Sequence, residues 1–314
     1  MHRPSRAALA ALLIVLPLLA TAQGLRERVR QAREASRTSR PVALPDGARA
    51  VRDIAYGADP AQRCDLYLPA RAAAAPLLLY VHGGGWANGD KTNPGLSAKL
   101  DHWLPKGQAV ASCNYRLVPA ATPLQQADDI AHALATLQRG AGRWGLDPER
   151  TVLMGHSAGA HLVALLGADP RLLSAAGAAP PRGVVALDSG ALDVPALMAG
   201  PRVPAIYRQA FGSDPAGWRA ASPWQRLRRG GLPMLLVCSS ERRFPTSPCD
   251  EARKLAARAG AVGVPATVQP EALDHGAINR TLGEASAYTR AVSDWIDALL
   301  RGRAPASAPA AARW

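Results

Sequence analysis

Residues 151–166 read TVLMGHSAGAHLVALL: an apolar run, a serine between small residues, and a second apolar run. The first run predicts a buried strand, and the second predicts a helix that begins at Ala158. A serine on a tight turn from strand to helix needs small neighbours because its backbone is strained, and the flanking glycines meet that need. Such a turn exposes the hydroxyl and directs the helix N-terminus at it, so Ser157 is predicted to be a nucleophile. The alternative is an ordinary glycine-rich turn.

Strands and helices alternate on both sides of this motif. Further strands are predicted at 64–68, 77–81, 109–114, 183–187, 234–238 and 266–269, and helices at 124–139, 158–166, 249–259 and 284–300. Several strands are nearly continuous apolar runs, which is typical of strands covered on both faces. The alternation favours an α/β domain over residues 53–300, with a mostly parallel sheet and helices on both faces. The proline-rich segment 189–231 is predicted to be a small cap or a long connection.

A glycine-rich loop, HGGGW at residues 82–86, follows the strand at 77–81. Its glycines let the backbone approach a ligand and present N–H groups, as a tetrahedral oxyanion requires. Gly83 and Gly84 are the predicted donors, together with the N–H of Ala158. A flexible turn or a phosphate loop is the alternative, although neither G-x-G-x-x-G nor a GK[ST] ending is present. Trp86 is predicted either to line the substrate pocket or to pack in the core.

A general base is predicted at His275, just after the last predicted strand. The order serine, acid, histidine along the chain is one known arrangement of a catalytic triad. A lone histidine is more often structural, but this one follows the strand where the base is expected. Packing roles are predicted for His156 and His161, which lie beside the serine.

The acid of the triad is expected in the loop after the strand at 234–238, where no aspartate follows within a few residues. Glu241 is the nearest carboxylate and is favoured, with Asp250 as the alternative. Either could instead have a surface or helix-start role. A carboxylate is needed to fix the imidazole tautomer and to stabilise the imidazolium. Asp188 and Asp193 follow the preceding strand and are further candidates, for which a turn or structural role is favoured.

The N-terminal residues 1–22 combine a basic start, an apolar run of 14 residues and an Ala-x-Ala ending. This pattern predicts a cleaved secretory signal peptide. The run is too short to cross a bilayer, which takes about 20 residues, and an uncleaved anchor is the alternative. We therefore expect a secreted or periplasmic protein, in a compartment where disulfides persist.

The four cysteines allow three pairings. Cys238 and Cys249 flank one short loop and are predicted to pair, which would leave Cys64 with Cys113, both on predicted strands. Four free, buried thiols are the alternative. The cysteines form neither a Cys-x-x-Cys motif nor a Cys/His ladder, so no metal site is predicted.

The net charge of +13 first suggests an anionic partner. The signal peptide carries +2, the arm at residues 23–52 carries +5, and the tail at 301–314 carries +3. The body has 24 basic against 21 acidic residues, only +3. The arm is predicted to be solvated and the tail disordered, with weak contact to anionic surfaces as the alternative. Nucleic-acid binding is not predicted, because no recognised motif supports it.

Taken together, the motifs resemble the α/β-hydrolase superfamily and, within it, the carboxylesterase group with an HGGGW loop, which includes hormone-sensitive-lipase-like, feruloyl-esterase-like and arylformamidase-like proteins. The matching segments are 65–69, 82–86, 114–117, 155–159, 189–194 and 274–276. The resemblance implies an eight-stranded sheet, no cofactor, and hydrolysis of small carboxylic esters through an acyl-enzyme on Ser157. An arylformamidase that uses the same residues, or a non-catalytic binding protein on a degenerate hydrolase fold, is the alternative. This chain departs from the family in the acid loop, where an aspartate is usual.

Overall fold

The computed structural model describes residues 42–243 and 246–303. Its strands are β1 (Arg49–Ala55), β2 (Arg63–Leu68), β3 (Ala75–Val81), β4 (Ala109–Cys113), β5 (Leu146–His156), β6 (Val184–Leu187), β7 (Met234–Ser239) and β8 (Ala266–Glu271). Its helices are α1 (Leu96–Trp103), α2 (Pro123–Arg139), α3 (Ala141–Trp144), α4 (Ala158–Ala168), α5 (Arg171–Ala175), α6 (Val194–Met198), α7 (Ala205–Phe211), α8 (Pro215–Ala220), α9 (Pro223–Arg226), α10 (Pro248–Ala261), α11 (His275–Arg280) and α12 (Ala287–Leu300). The predicted signal peptide, residues 23–41 of the predicted arm and residues 304–314 of the predicted tail lie outside the described residues.

The strands form one sheet in the order β1-β2-β4-β3-β5-β6-β7-β8. Two pairings, β1 with β2 and β2 with β4, are antiparallel, and the others are parallel. The eight-stranded, mostly parallel sheet is confirmed, and so are all seven predicted strands. β1 was not predicted. It is a half-exposed edge strand without an apolar run, and it begins at Arg49, inside the predicted arm.

The four predicted helices are confirmed as α2, α4, α10 and α12. α2 begins with a capping box, in which the Thr122 side chain accepts from the backbone N–H of Gln125 while the Gln125 side chain accepts from that of Thr122. The segment 189–231, predicted to be a small cap or a long connection, contains the four short helices α6 to α9. Within the part of the chain that the structure describes, no helix is long and apolar enough to cross a bilayer.

The carboxyl ends of β5 to β8 meet at one edge of the sheet. His156 at the end of β5 pairs with Leu187 at the end of β6, and Leu187 pairs with Val237 of β7. β8 is paired to β7 in turn. Residues that follow these strands are therefore neighbours in space, although up to about 120 positions separate them in sequence.

Both predicted disulfides are present. Cys64 of β2 lies directly opposite Cys113 of β4 in the antiparallel ladder, and the two sulfurs are bonded. The second bond joins Cys238 of β7 to Cys249 of α10. It ties the end of a central strand to the helix that follows it.

Candidate active site

The predicted turn from strand to helix is observed between β5 and α4. Ser157 has φ 56° and ψ −114°, a conformation that non-glycine residues rarely adopt. Its N–H donates to the carbonyl oxygen of Leu187 at 2.9 Å, which holds the turn against β6. A Cβ atom at Gly159 would lie 2.2 Å from the carbonyl oxygen of Val81. The glycine is therefore required by the close approach of α4 to β3.

A line of hydrogen bonds runs from Ser157 through His275 to a buried carboxylate. Nε2 of His275 lies 3.0 Å from Oγ of Ser157, and Nδ1 lies 2.6 Å from Oδ2 of Asp188. An ionised carboxylate can only accept, so the proton belongs on Nδ1. Nε2 then keeps its lone pair for the serine hydroxyl.

Asp188 is fully buried and has φ 58°. Its Oδ1 accepts from the backbone N–H of Ser239 at 2.7 Å, and its Oδ2 also accepts from Nε of Arg242 at 3.0 Å. Burial acts to raise the pKa of Asp188. The hydrogen bond from His275, the charge of Arg242 and the N–H of Ser239 outweigh burial, so the pKa lies below its usual value.

The structure corrects the predicted acid. Glu241 is exposed in the loop after β7, and Asp250 is exposed on α10, where it pairs with Arg253 at 2.9 Å. The carboxylate at His275 comes instead from the end of β6. β6 lies directly beside β7, the strand whose loop was expected to supply the acid. Asp188 at the end of β6 therefore reaches the histidine from the neighbouring strand. Asp193 is the N-cap residue directly before α6.

The β7 loop still contributes to the site, although not with a carboxylate. Ser239 and Arg242 both donate to Asp188, and neither was predicted to lie in the site. No local sequence signal identified either residue, because a loop arginine can equally well be solvated, as its exposed neighbour Arg243 is.

The HGGGW loop lies directly against the serine. A Cβ atom at Gly83 would come within 3.0 Å of Cβ of Ser157 and 2.9 Å of the carbonyl oxygen of His156. Gly83 and Gly84 line a cavity of about 460 Å³ together with Ser157 and His275, and Ile206 of α7 also lines it. Ala158 is the first residue of α4. The structure thus brings all three predicted oxyanion-hole residues to the serine.

The fold matches those of solved esterases. Esterase B from Lactobacillus rhamnosus superposes with a TM-score of 0.66 at 23% sequence identity, over 91% of this chain and 96% of that chain. The chain therefore has the α/β-hydrolase fold.

Sequence comparisons match parts of the chain. The BD-FAE family model matches residues 64–174. A probable isoprenylcysteine alpha-carbonyl methylesterase, ICMEL1 from Oryza sativa subsp. japonica, is 37% identical over 36% of this chain and 26% of its own length. Esterase LipC from Mycobacterium tuberculosis is 28% identical over 67% of this chain and 55% of its own. The chain therefore spans about a quarter of the plant relative and about half of the mycobacterial one.

Trp86 packs beneath the site. It is 3% exposed, and its ring lies against Phe211 of α7 at 4.9 Å between centroids. It is not among the described residues that line the cavity, so the expectation of a substrate contact is not met and the packing alternative holds. Nε1 of Trp86 donates to Nδ1 of His161 at 3.2 Å, and Nε2 of His161 donates to the carbonyl oxygen of Ala221 at 2.7 Å. Burial lowers the pKa of His161 to about 4, so its ring is neutral and can accept at one nitrogen and donate at the other.

His156 also has a structural role, as predicted. Its Nε2 donates to the carbonyl oxygen of His275 at 2.8 Å, and the two rings lie 4.6 Å apart between centroids. Burial, together with the nearby charge of His275, lowers the pKa of His156 to about 3. A neutral His156 fixes the backbone of the residue that contacts Ser157.

Proposed function

We propose that this chain is a serine hydrolase that cleaves carboxylic esters through an acyl-enzyme on Ser157. One observation carries the proposal: His275 lies between Ser157 and Asp188, at 3.0 Å and 2.6 Å. The similarity to enzymes named as esterases supports ester hydrolysis as the reaction. The ordered triad geometry argues against a binding protein on a degenerate fold.

In the proposed mechanism, Oγ of Ser157 attacks the acyl carbon while its proton moves to Nε2 of His275. Asp188 keeps the other ring proton on Nδ1 and stabilises the imidazolium that forms. His275 then gives the proton to the leaving alcohol. Water hydrolyses the acyl-enzyme through the same proton transfers in reverse.

The oxyanion that forms in each step is assigned to the N–H groups of Gly83, Gly84 and Ala158. Removing one such donor typically costs about 3 kcal/mol of transition-state stabilisation. The close approach of the Gly83 backbone to Ser157 supports this assignment. The position of Ala158 at the N-terminus of α4 adds the favourable end of the helix dipole.

Export is the second part of the proposal, with residues 1–22 removed as a signal peptide. All four cysteines are paired in two disulfides, and such bonds persist in oxidising compartments. The test is the mass and N-terminal sequence of the full chain expressed in a bacterium. A mature protein in the periplasm or medium that begins at Gln23 is expected, and full-length protein in the cytoplasm contradicts the proposal.

The test of the activity is turnover of p-nitrophenyl butyrate by the wild type and by Ser157→Ala, with a fluorophosphonate probe added to both. Turnover and labelling are expected for the wild type only. Retained turnover in Ser157→Ala would contradict the proposed mechanism. N-formylkynurenine is assayed in parallel, because its turnover without any ester turnover would favour the arylformamidase alternative.

A further inference from the structure

The helix that begins at the proposed general base is short and is held from outside. α11 has six residues, of which His275 is the first. A helix of this length is not stable by itself, so its position depends on contacts with the rest of the fold. Its last carbonyl groups have no partner within the helix. The hydroxyl of Tyr288 on α12 meets one of them, the carbonyl oxygen of Ile278, at 2.9 Å.

The next carbonyl along α11 is held by a lysine of α1. Nζ of Lys99 donates to the backbone oxygen of Asn279 at 2.7 Å and to its side-chain Oδ1 at 2.9 Å. A third bond goes to the carbonyl oxygen of Gly95, the residue before α1, at 2.9 Å. An ammonium group has three N–H donors, so each of them is used. Lys99 therefore anchors the C-terminal end of the helix that begins at His275.

The surroundings of Lys99 favour a cation at this position. The side chain is fully buried, and burial lowers its pKa to about 7. Its Nζ lies 4.9 Å from the ring centroid of Tyr80, which is a favourable contact for a positive charge. Only the ammonium has a donor for each of the three oxygens around it. The bonds of this buried cation join α1 to α11.

The backbone of α1 also lies very close to α11 and to the residues after it. A Cβ atom at Gly95 would overlap the side-chain amide of Asn279, and one at Gly283 would overlap the carbonyl oxygen of Ala98. Glycine is therefore required on both sides of this contact. Since Lys99 lies within the same contact, a change at its side chain is transmitted directly to α11.

The side chain of His275 tolerates little displacement. Its ring nitrogens lie 3.0 Å from Oγ of Ser157 and 2.6 Å from Oδ2 of Asp188, and both contacts must be kept at once. A misplacement of about 1 Å in such a site can lower the rate by about 100-fold. A small shift of α11 would therefore slow the reaction even if the substrate still binds.

We propose that Lys99 is a positioning residue, which fixes α11 and thereby holds His275 between Ser157 and Asp188. Lys99 is not among the described residues that line the cavity, so it acts through α11 and not on the substrate. This inference rests on the proposed ester hydrolysis, in which His275 transfers the proton.

Lys99→Met tests the proposal, because it keeps most of the length of the buried side chain and removes all three donors. With p-nitrophenyl butyrate we expect kcat to fall by about 10- to 100-fold, while KM stays within about twofold of the wild type. A loss of this kind shows that an interaction of the transition state was removed rather than one of substrate binding. Lys99→Gln keeps a shorter donor, so its kcat should lie between those of Lys99→Met and the wild type.

A spectroscopic measurement separates positioning from a general loss of stability. The proton that Nδ1 of His275 donates to Asp188 lies in a short bond to a carboxylate, and it should give a proton NMR signal far downfield of the amide signals. Loss of the signal in Asp188→Asn assigns it. We expect the signal in the wild type and its broadening or loss in Lys99→Met.

Arg226→Met is the control for stability. It removes a cation that pairs with the fully buried carboxylate of Asp169 at 2.6 Å, so it should also lower the free energy of unfolding. Asp169 follows the last residue of α4, about 16 Å along that helix from Ser157. Both kcat and the downfield signal are expected to be unchanged in this variant.

The wild-type kcat in folded Lys99→Met, or in Lys99→Gln where only that variant folds, overturns the proposal. An equal fall of kcat in Arg226→Met also overturns it, because the loss would then follow stability rather than the position of His275. A wild type that does not hydrolyse the ester contradicts the proposed function instead. The turnover of the wild type thus separates the two failures.

Discussion

Arg242 and His275 donate to the same oxygen of Asp188. Nε of Arg242 lies 3.0 Å from Oδ2, and Nδ1 of His275 lies 2.6 Å from it. A second nitrogen of Arg242 donates to the backbone carbonyl of Asp188 at 3.1 Å. A permanent positive charge therefore lies beside the carboxylate that would stabilise an imidazolium.

This arrangement predicts a pH effect for Arg242→Met. The guanidinium stabilises the ionised carboxylate of Asp188, so its removal makes that carboxylate easier to protonate. Asp188 is then protonated at a higher pH than in the wild type, because Arg242 is one of the groups that hold its pKa below the usual value. We expect the acidic limb of the kcat/KM profile for p-nitrophenyl butyrate to move up in pH, because the reaction needs the ionised carboxylate.

The other charged and titratable groups around the site are the same in this variant and in its controls: His156, Lys99, Asp274, Tyr207 and Tyr288. Arg242→Lys should keep most of the wild-type profile. Arg243→Met removes a charge from the exposed neighbouring position and should not move it. An unshifted acidic limb in a folded Arg242→Met protein contradicts the electrostatic role.

The identity of the acid is tested by three amide substitutions. Asp188→Asn removes the negative charge and replaces one carboxylate oxygen with an N–H donor, which no longer fixes the His275 tautomer, and kcat should fall by about 10³- to 10⁴-fold. Glu241→Gln and Asp250→Asn change exposed side chains and should stay within about twofold of the wild type. A larger loss in Glu241→Gln than in Asp188→Asn would return the acid to the β7 loop.

Loss of either disulfide should lower stability, but loss of only one of them should also lower activity. Loop-closure entropy predicts a loss of about 4 kcal/mol in the free energy of unfolding when Cys64 and Cys113 are both replaced by serine, and about 3 kcal/mol for Cys238 and Cys249. Only the second pair flanks Ser239 and Arg242, so only its loss should also lower kcat. Denaturant unfolding and steady-state kinetics of the two double variants check this. A larger loss of kcat on replacing Cys64 and Cys113 than on replacing Cys238 and Cys249 would contradict this prediction.

The packing role of Trp86 predicts a cost in stability rather than in substrate recognition. Trp86→Ala should lower the free energy of unfolding by about 3–5 kcal/mol, as for other large buried aromatic residues. Trp86→Phe keeps most of the ring contacts but loses the hydrogen bond to His161, which is worth about 1 kcal/mol. Denaturant unfolding measures both. A change in the preference of Trp86→Phe among acyl chain lengths, without a loss of stability, would return Trp86 to the substrate pocket.

Local sequence was sufficient wherever a feature depends on a few consecutive residues. The strained turn at Ser157, the HGGGW loop and the apolar strands are each determined by residue size and periodicity over a short stretch, and all were predicted. The edge strand β1 was missed because an exposed strand at the edge of a sheet has no apolar run to reveal it. The cysteine pairs could be predicted because one pair closes a short loop, which leaves only one partner for the other.

The tertiary structure alone decided which carboxylate meets His275 and where the side chain of Trp86 lies. Asp188 and His275 are 87 residues apart, and they meet because β6, β7 and β8 are consecutive in the sheet. The residues near Asp188 do not reveal this, since the same aspartate would serve equally well in a turn. The sequence by itself determined the turn that presents Ser157 and the strands around it. The choice of acid required the strand order, because that order sets which loop ends lie side by side.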